Sequence, residues 1–169
     1  EWGWTADDNE KFCRLFWEKL VELHAVDYNA AGLGDFGRPE GYVSRQVGGW
    51  NKRFEKALTP DVQPFEDVRD WLDANQPPDV PQSALIHGDF RIDNMILNRS
   101  NPFRIDAVLD WELSTLGDPL MDLGGALVYW IQDGDPDGFG ALEKQPSRAP
   151  GMLRRQQFVD FYGEKTGIT

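Results

Sequence analysis

The stretch His87-Gly88-Asp89-Phe90-Arg91-Ile92-Asp93-Asn94, followed further on by the apolar run Ala107-Val108-Leu109 that ends in Asp110, constrains this chain more than any other part of it. Asp89 and Asn94 are five residues apart with no strong helical pattern between them. That spacing suits a loop that turns an acid one way and brings an amide back. Asp110 closes a strand-like segment. An acid, an amide and a second acid are the groups that phosphoryl transfer asks for. The moving phosphoryl group carries spread negative charge, so catalysis is mostly positioning plus cation-assisted electrostatics. One carboxylate must accept the proton of the attacking hydroxyl, while a carboxylate and an amide oxygen hold magnesium against the nucleotide phosphates.

The H-x-D-x-x-x-x-N spacing is that of a kinase catalytic loop, and a metal-binding acid at the end of a later strand is its expected companion. Either alone is weak; together they are specific. Around these residues the chain resembles the aminoglycoside phosphotransferase and choline kinase-like family of small-molecule kinases. The fuller string from His87 through Asp110-Trp111-Glu112-Leu113-Ser114-Thr115-Leu116-Gly117-Asp118-Pro119 is similar to the kinase-like domain associated with acyl-CoA dehydrogenase-like proteins. So are Leu23-His24-Ala25-Val26-Asp27-Tyr28, Gly34-Asp35-Phe36-Gly37-Arg38-Pro39-Glu40 and Arg45-Gln46, and the resemblance covers nearly the whole chain. It implies an α+β, mainly helical fold: the C-terminal, catalytic lobe of a protein-kinase-like enzyme, with a small β hairpin at the active site. It also implies ATP and Mg2+ as cofactors, Asp89 as catalytic base, and Asn94 and Asp110 as magnesium ligands.

Arg91 follows the base by two residues, where a protein-kinase loop carries a lysine facing the transferred phosphate. Two readings stand for it, phosphate neutralisation through paired hydrogen bonds and a surface salt bridge to Asp93. His87 reads as a structural histidine bracing the loop, because Asp89 already fills the base role. Asp122 is expected to accept hydrogen bonds from loop backbone, and Asp118 with Pro119 reads as a helix start. Two further matches fail on context. Gly32-Leu33-Gly34-Asp35-Phe36-Gly37 fits G-x-G-x-x-G but follows no strand. Its Asp35-Phe36-Gly37 fits the kinase metal motif but precedes the catalytic loop instead of following it. A glycine-rich turn between two helices explains both.

The chain organises as one unit, 1–169. Phe12, Leu15, Phe16, Leu20 and Leu23 fall at helical steps behind a Thr5/Asp8 capping box, which predicts a helix over about 7–26. Further helices are expected at about 39–58, with Tyr42, Val43, Val47, Trp50 and Phe54 as an apolar stripe, and at 65–75, 119–131 and 151–165. The β elements are expected at about 84–86, 95–98 and 104–110, the last two as a hairpin. Residues 133–150 read as a loop rich in Gly and Pro. The seven tryptophans, Trp2, Trp4, Trp17, Trp50, Trp71, Trp111 and Trp130, are expected mainly in the core, with an interface as the other reading.

The N-terminal β-rich lobe of such a kinase, with its glycine-rich cover and its lysine–glutamate pair, is expected to be absent from these 169 residues. The chain therefore reads as a catalytic-lobe fragment that by itself turns over little, the missing N-terminal lobe being a partner from the same parent protein. A single cysteine, Cys13, excludes an intramolecular disulfide, and its place in a helical pattern predicts a buried thiol. A formal charge of −12 argues against nucleic acid and anionic membranes as partners. With no secretory h-region and no apolar run near the ~20 residues that span a bilayer, a cytoplasmic location is expected. The acceptor is a small-molecule substrate. The resemblance implies a hydroxyacyl-CoA, which the cations Arg38, Arg45, Lys52, Arg53 and Lys56 around the second helix would suit. An aminoglycoside or amino alcohol is the competing acceptor, and a non-catalytic kinase-like binding module is the reading from another class.

Overall fold

The computed structural model describes residues 3–80 and 82–168; Trp2 lies outside them. Thr5 starts the first helix, α1 (Ala6–His24), through a reciprocal cap: its hydroxyl oxygen accepts from the Asp8 backbone N–H, and the Asp8 carboxylate accepts from the Thr5 N–H. One face of α1 carries Phe12, Cys13, Phe16, Trp17 and Leu20, each 2% exposed or less. That face packs on Trp130, Phe158 and Tyr162, with ring centroids 4.2 Å apart for Trp17–Phe158 and 5.7 Å for Trp17–Trp130. Each such side chain contributes about 1.5–3 kcal/mol by leaving water. This aromatic cluster is the floor on which the candidate site is built.

A glycine-rich turn leads to α2 (Tyr42–Ala57). The helix cannot begin at Pro39, because Gly41 sits at φ 61 and ψ 31 and caps it. Of its expected apolar stripe only Val43 is buried, and Trp50 is 63% exposed. α3 (Glu66–Ala74) has no buried residue and leaves Trp71 62% exposed. The tryptophans therefore divide: Trp17 and Trp130 are core, while Trp50, Trp71 and Trp111 face solvent.

Strand β1 (Ala84–Ile86) is buried at every position. It pairs antiparallel with β4 (Thr115–Gly117), with Leu85 opposite Leu116. The expected hairpin forms from β2 (Met95–Leu97) and β3 (Ile105–Val108), with Met95 opposite Val108 and a bulge between Ile96 and Leu97. Among the described residues, β structure is confined to these two pairs. Asp118 caps α4 (Pro119–Val128): its carboxylate accepts from the Leu120 N–H at 2.7 Å, and Pro119 occupies the first helical position. The helix stops short of Ile131 because Trp130 and Ile131 turn into the core, both 2% exposed or less.

The final helix, α5 (Arg155–Thr166), begins later than 151. Gly151, at φ +88, lies so close to the start of α1 that a Cβ there would sit 1.9 Å from the Ala6 carbonyl oxygen, and the next residues run extended with Leu153 buried. Among the described residues no helix is long and apolar enough to cross a membrane.

Candidate active site

The loop that carries Asp89 leaves β1 at Ile86 and is gripped at once. The Asp122 carboxylate on α4 accepts from the His87 N–H at 2.7 Å and the Gly88 N–H at 2.8 Å, one oxygen for each. Gly88 adopts φ +83, and a Cβ there would lie 2.8 Å from the Leu113 carbonyl oxygen, so both conformation and space require glycine. Phe90, 1% exposed, drives its ring into the aromatic core 4.8 Å from Phe16. With Phe90 held inside, its neighbours Asp89 and Arg91 stay partly exposed. A 3-10 turn at Ile92–Asn94 then brings the chain into β2, with the Ile92 N–H bound to the Gln145 side-chain oxygen at 2.7 Å.

Asn94 and Asp110 are brought together by the hairpin. Its register continues past Met95 and Val108 into a hydrogen bond from the Leu109 N–H to the Asn94 carbonyl at 2.8 Å. The Leu109 carbonyl in turn accepts from His87 Nε2 at 2.9 Å. Leu109 is thus held at both its backbone groups, and the next residue, Asp110, emerges beside Asn94. β3 ends at Val108 and not at 110 because the Leu109 carbonyl is taken by His87 and Asp110 turns left-handed, at φ 63 and ψ 59. For a residue other than glycine that is a strained backbone, of the kind that collects at functional sites. The Asp110 side chain is exposed.

Asn94 is 8% exposed and donates its amide N–H to the Asp89 carbonyl at 2.9 Å and to the Asp89 carboxylate at 3.3 Å. That orientation points the nitrogen at Asp89 and leaves the amide oxygen without a hydrogen bond from Asp89. His87 is fully buried; its Nδ1 accepts from the Asp89 N–H at 3.3 Å while Nε2 donates to Leu109. These partners place the ring proton on Nε2, making His87 a brace between the Asp89 loop and the hairpin. The Trp111 ring covers it at 4.9 Å, pinned by a 2.8 Å bond from its indole N–H to the Val108 carbonyl.

Arg91 lies between two carboxylates, 3.1 Å from Asp89 and 3.2 Å from Asp93, with its guanidinium over the Tyr129 ring. The Asp89 contact is close enough for an ion pair, but Nε is off line for a hydrogen bond.

No group of three or more His, Cys, Asp or Glu side chains suited to a metal occurs among the described residues. An amide oxygen and one exposed carboxylate nonetheless fit magnesium, which takes few protein ligands and completes its shell with water and substrate phosphates.

Beside the loop opens a cleft of about 540 Å³ lined by Tyr42, Gln46, Trp50, Arg53, Leu113 and Met121, among others, with Gly88 and Asp122 also in its wall. Burial, then the nearby Asp122 carboxylate, pushes the Tyr42 phenol above its ordinary range, keeping it a hydrogen-bond donor. Arg53 stacks on Trp50, 4.8 Å from the ring centre. Arg45 is not a free cation: it donates to the backbone carbonyls of Arg38 and Glu40 and closes the turn before α2. The Asp35-Phe36-Gly37 turn is structural. A Cβ on Gly37 would lie 2.3 Å from Thr115 Oγ1 and 2.5 Å from the Leu116 nitrogen, so the glycine lets the turn press against β4.

Several residues of the site escaped sequence reasoning. Gln145 sits in the stretch read as a plain Gly/Pro loop, yet it is 4% exposed and tethers the 3-10 turn. Strand β4 is too short to carry a pattern, and Phe90 offered only an apolar residue inside a polar motif. His24, the last residue of α1, bonds Asp122 at 3.1 Å, a contact across 98 residues that no local pattern signals.

The sequence matches the phosphotransferase enzyme family over residues 1–158. Acyl-CoA dehydrogenase family member 11 of Gallus gallus is 45% identical over 114 residues, 68% of this chain and 14% of its own length. Family member 10 of Mus musculus is 39% identical over 150 residues, 88% of this chain and 14% of its own length. The solved structure of a candidate aminoglycoside phosphotransferase from Ralstonia eutropha JMP134 superposes with a TM-score of 0.83 at 31% identity, covering 100% of this chain and 51% of that one. The chain thus spans about half of that solved relative and about a seventh of those two curated ones. The chain belongs to the phosphotransferase enzyme family.

Proposed function

We propose that the protein is an ATP-dependent kinase that phosphorylates a hydroxyl of a small molecule, with Asp89 as base, Asn94 and Asp110 as magnesium ligands and Arg91 as the phosphate-facing cation. The observation that carries this is Leu109: bonded to Asn94 on one side and His87 on the other, it joins the base loop to the strand that ends in Asp110.

Asp89 accepts the proton of the acceptor hydroxyl as its oxygen bonds to the γ-phosphorus; the bond from phosphorus to the bridging oxygen breaks, and ADP leaves with that electron pair. Asn94 keeps the Asp89 carboxylate aimed through its amide N–H. When bound to Asn94 Oδ1 and the Asp110 carboxylate, magnesium supplies neutralisation of the phosphate charge. Arg91, held in reserve by Asp89 and Asp93, offers a two-pronged donor to the transferred group.

For the acceptor we favour a hydroxyacyl-CoA. Relatives carrying an acyl-CoA dehydrogenase name support this, as does the cleft, where Arg53 and Trp50 provide a cation and an aromatic face. The competing acceptor is an aminoglycoside or amino alcohol, and the Ralstonia relative is named for the first of these. Phosphorylation assays of the full-length protein against hydroxyacyl-CoAs, aminoglycosides and amino alcohols decide between them. Asp89→Asn should lower kcat by about 10²-fold or more on the accepted substrate. Turnover of cationic amines alone would end the acyl-CoA reading, and an unimpaired Asp89→Asn would end the assignment of the base.

A further inference from the structure

Three ionisable side chains with no part in the proposed chemistry form one buried line behind the catalytic loop. Tyr162 on α5 lies 2.7 Å from His24 Nδ1, and His24 Nε2 lies 3.1 Å from the Asp122 carboxylate. The His24 and Asp122 side chains are 3% and 1% exposed. The line joins α1, α4 and α5, which among the described residues make no other hydrogen bond to the loop that carries Asp89.

Its direction can be read from the partners. Burial first, and the Asp122 and Asp118 carboxylates second, hold the Tyr162 phenol in its protonated form, so it donates. His24 then accepts at Nδ1 and donates from Nε2 to Asp122. Asp122 receives three donors: this imidazole, the His87 N–H and the Gly88 N–H. A carboxylate turns easily about its terminal torsion. If only the loop amides held it, its plane would follow the loop. The imidazole fixes that plane from the α1 side, so the loop follows the carboxylate instead. Bonds arranged head to tail in a dry interior also strengthen one another.

We propose that His24 and Tyr162 are positioning residues for phosphoryl transfer: through Asp122 they fix the His87-Gly88 backbone and so the aim of Asp89. The role rests on the reading of Asp89 as base. A second cleft, about 320 Å³ and lined by His24, Ala25, Ser83, Tyr162 and Lys165 among others, reaches this line and shares no lining residue with the cleft that holds Trp50 and Arg53. Tyr162→Phe can therefore be tested without touching the acceptor cleft.

The test compares His24→Leu, His24→Gln and Tyr162→Phe in the full-length protein by steady-state kinetics and by amide hydrogen exchange at His87 and Gly88. His24→Leu removes a hydrogen bond to a charged group, so kcat should fall about tenfold or more, with KM for nucleotide and acceptor nearly unchanged. Exchange at Gly88 should quicken by a similar factor. His24→Gln, which still offers an N–H to Asp122, should recover most of both. Tyr162→Phe, lacking one oxygen, should fall between wild type and His24→Leu. Unchanged kcat and Gly88 exchange in a folded His24→Leu, or a His24→Gln no better than it, would overturn the proposal. Should His24→Leu fail to fold, Tyr162→Phe decides by the same two readouts. If the full-length protein transfers no phosphate to any acceptor, the functional reading fails, while Gly88 exchange in the variants still decides whether the line grips the loop.

Discussion

Asp110 sits at φ 63 and ψ 59, one of two residues other than glycine with positive φ among those described. In that region an L-residue crowds its Cβ against the following carbonyl, at roughly 1–2 kcal/mol. Glycine escapes this cost but loses about 0.4–1 kcal/mol through the greater freedom of its unfolded chain. Asp110→Gly should therefore be more stable than Asp110→Ala by about 0.5–1 kcal/mol, or roughly 1–4 °C in Tm for a chain of this size. Both substitutions remove the carboxylate, so magnesium-dependent nucleotide binding should weaken in both to a similar degree. Thermal unfolding by circular dichroism without metal or nucleotide, paired with titration calorimetry of the full-length variants, separates backbone from ligand. An alanine variant as stable as the glycine variant would refute the claim that strain is stored at this position. A glycine variant that binds magnesium nucleotide as tightly as wild type would refute the ligand assignment.

Gly37→Ala would push a Cβ to within 2.5 Å of the Leu116 backbone nitrogen, so β4 must move; a loss of about 1–3 kcal/mol is expected in urea unfolding, and an unchanged midpoint would show that the turn does not press on the strand. Burial pushes the Cys13 thiol from 9.0 up to about 12, and native protein should resist alkylation at pH 8 until it is unfolded. The same shift has a signed consequence: the folded thiol keeps its proton while the unfolded one releases it, so this contribution to stability is whole below pH 9 and is lost as pH rises toward 12. Native labelling at the rate of an exposed thiol would contradict both statements. Replacing Gln145 by Leu should leave the Ile92 N–H without its acceptor at about 1–3 kcal/mol, read as faster exchange at Ile92; unchanged exchange there would remove Gln145 from the site.

Much of the fold was legible because it is written locally. The Thr5–Asp8 cap spans three residues, the apolar spacing of α1 repeats within one element, and Asp118-Pro119 announces α4 by its own backbone chemistry. The motif from His87 to Asn94 carries its meaning in a spacing of a few residues, so the candidate base and its companion amide could be named without coordinates. The amphipathic stripe of α2 misled for a related reason: periodicity shows that one side of a helix is apolar, not that anything covers it, and Trp50 instead lines an open cleft.

What the chain by itself determined is therefore short-range: which segments coil, and which few side chains are candidates for phosphoryl transfer. Only the folded molecule decided how those groups are held. His24 reaches Asp122 across 98 residues and Tyr162 across 138, Gln145 reaches back 53 residues to Ile92, and β4 exists only because β1 lies beside it. Contacts of that kind leave no periodic trace, because each depends on the packing of an aromatic core that must form before the distant partners can meet.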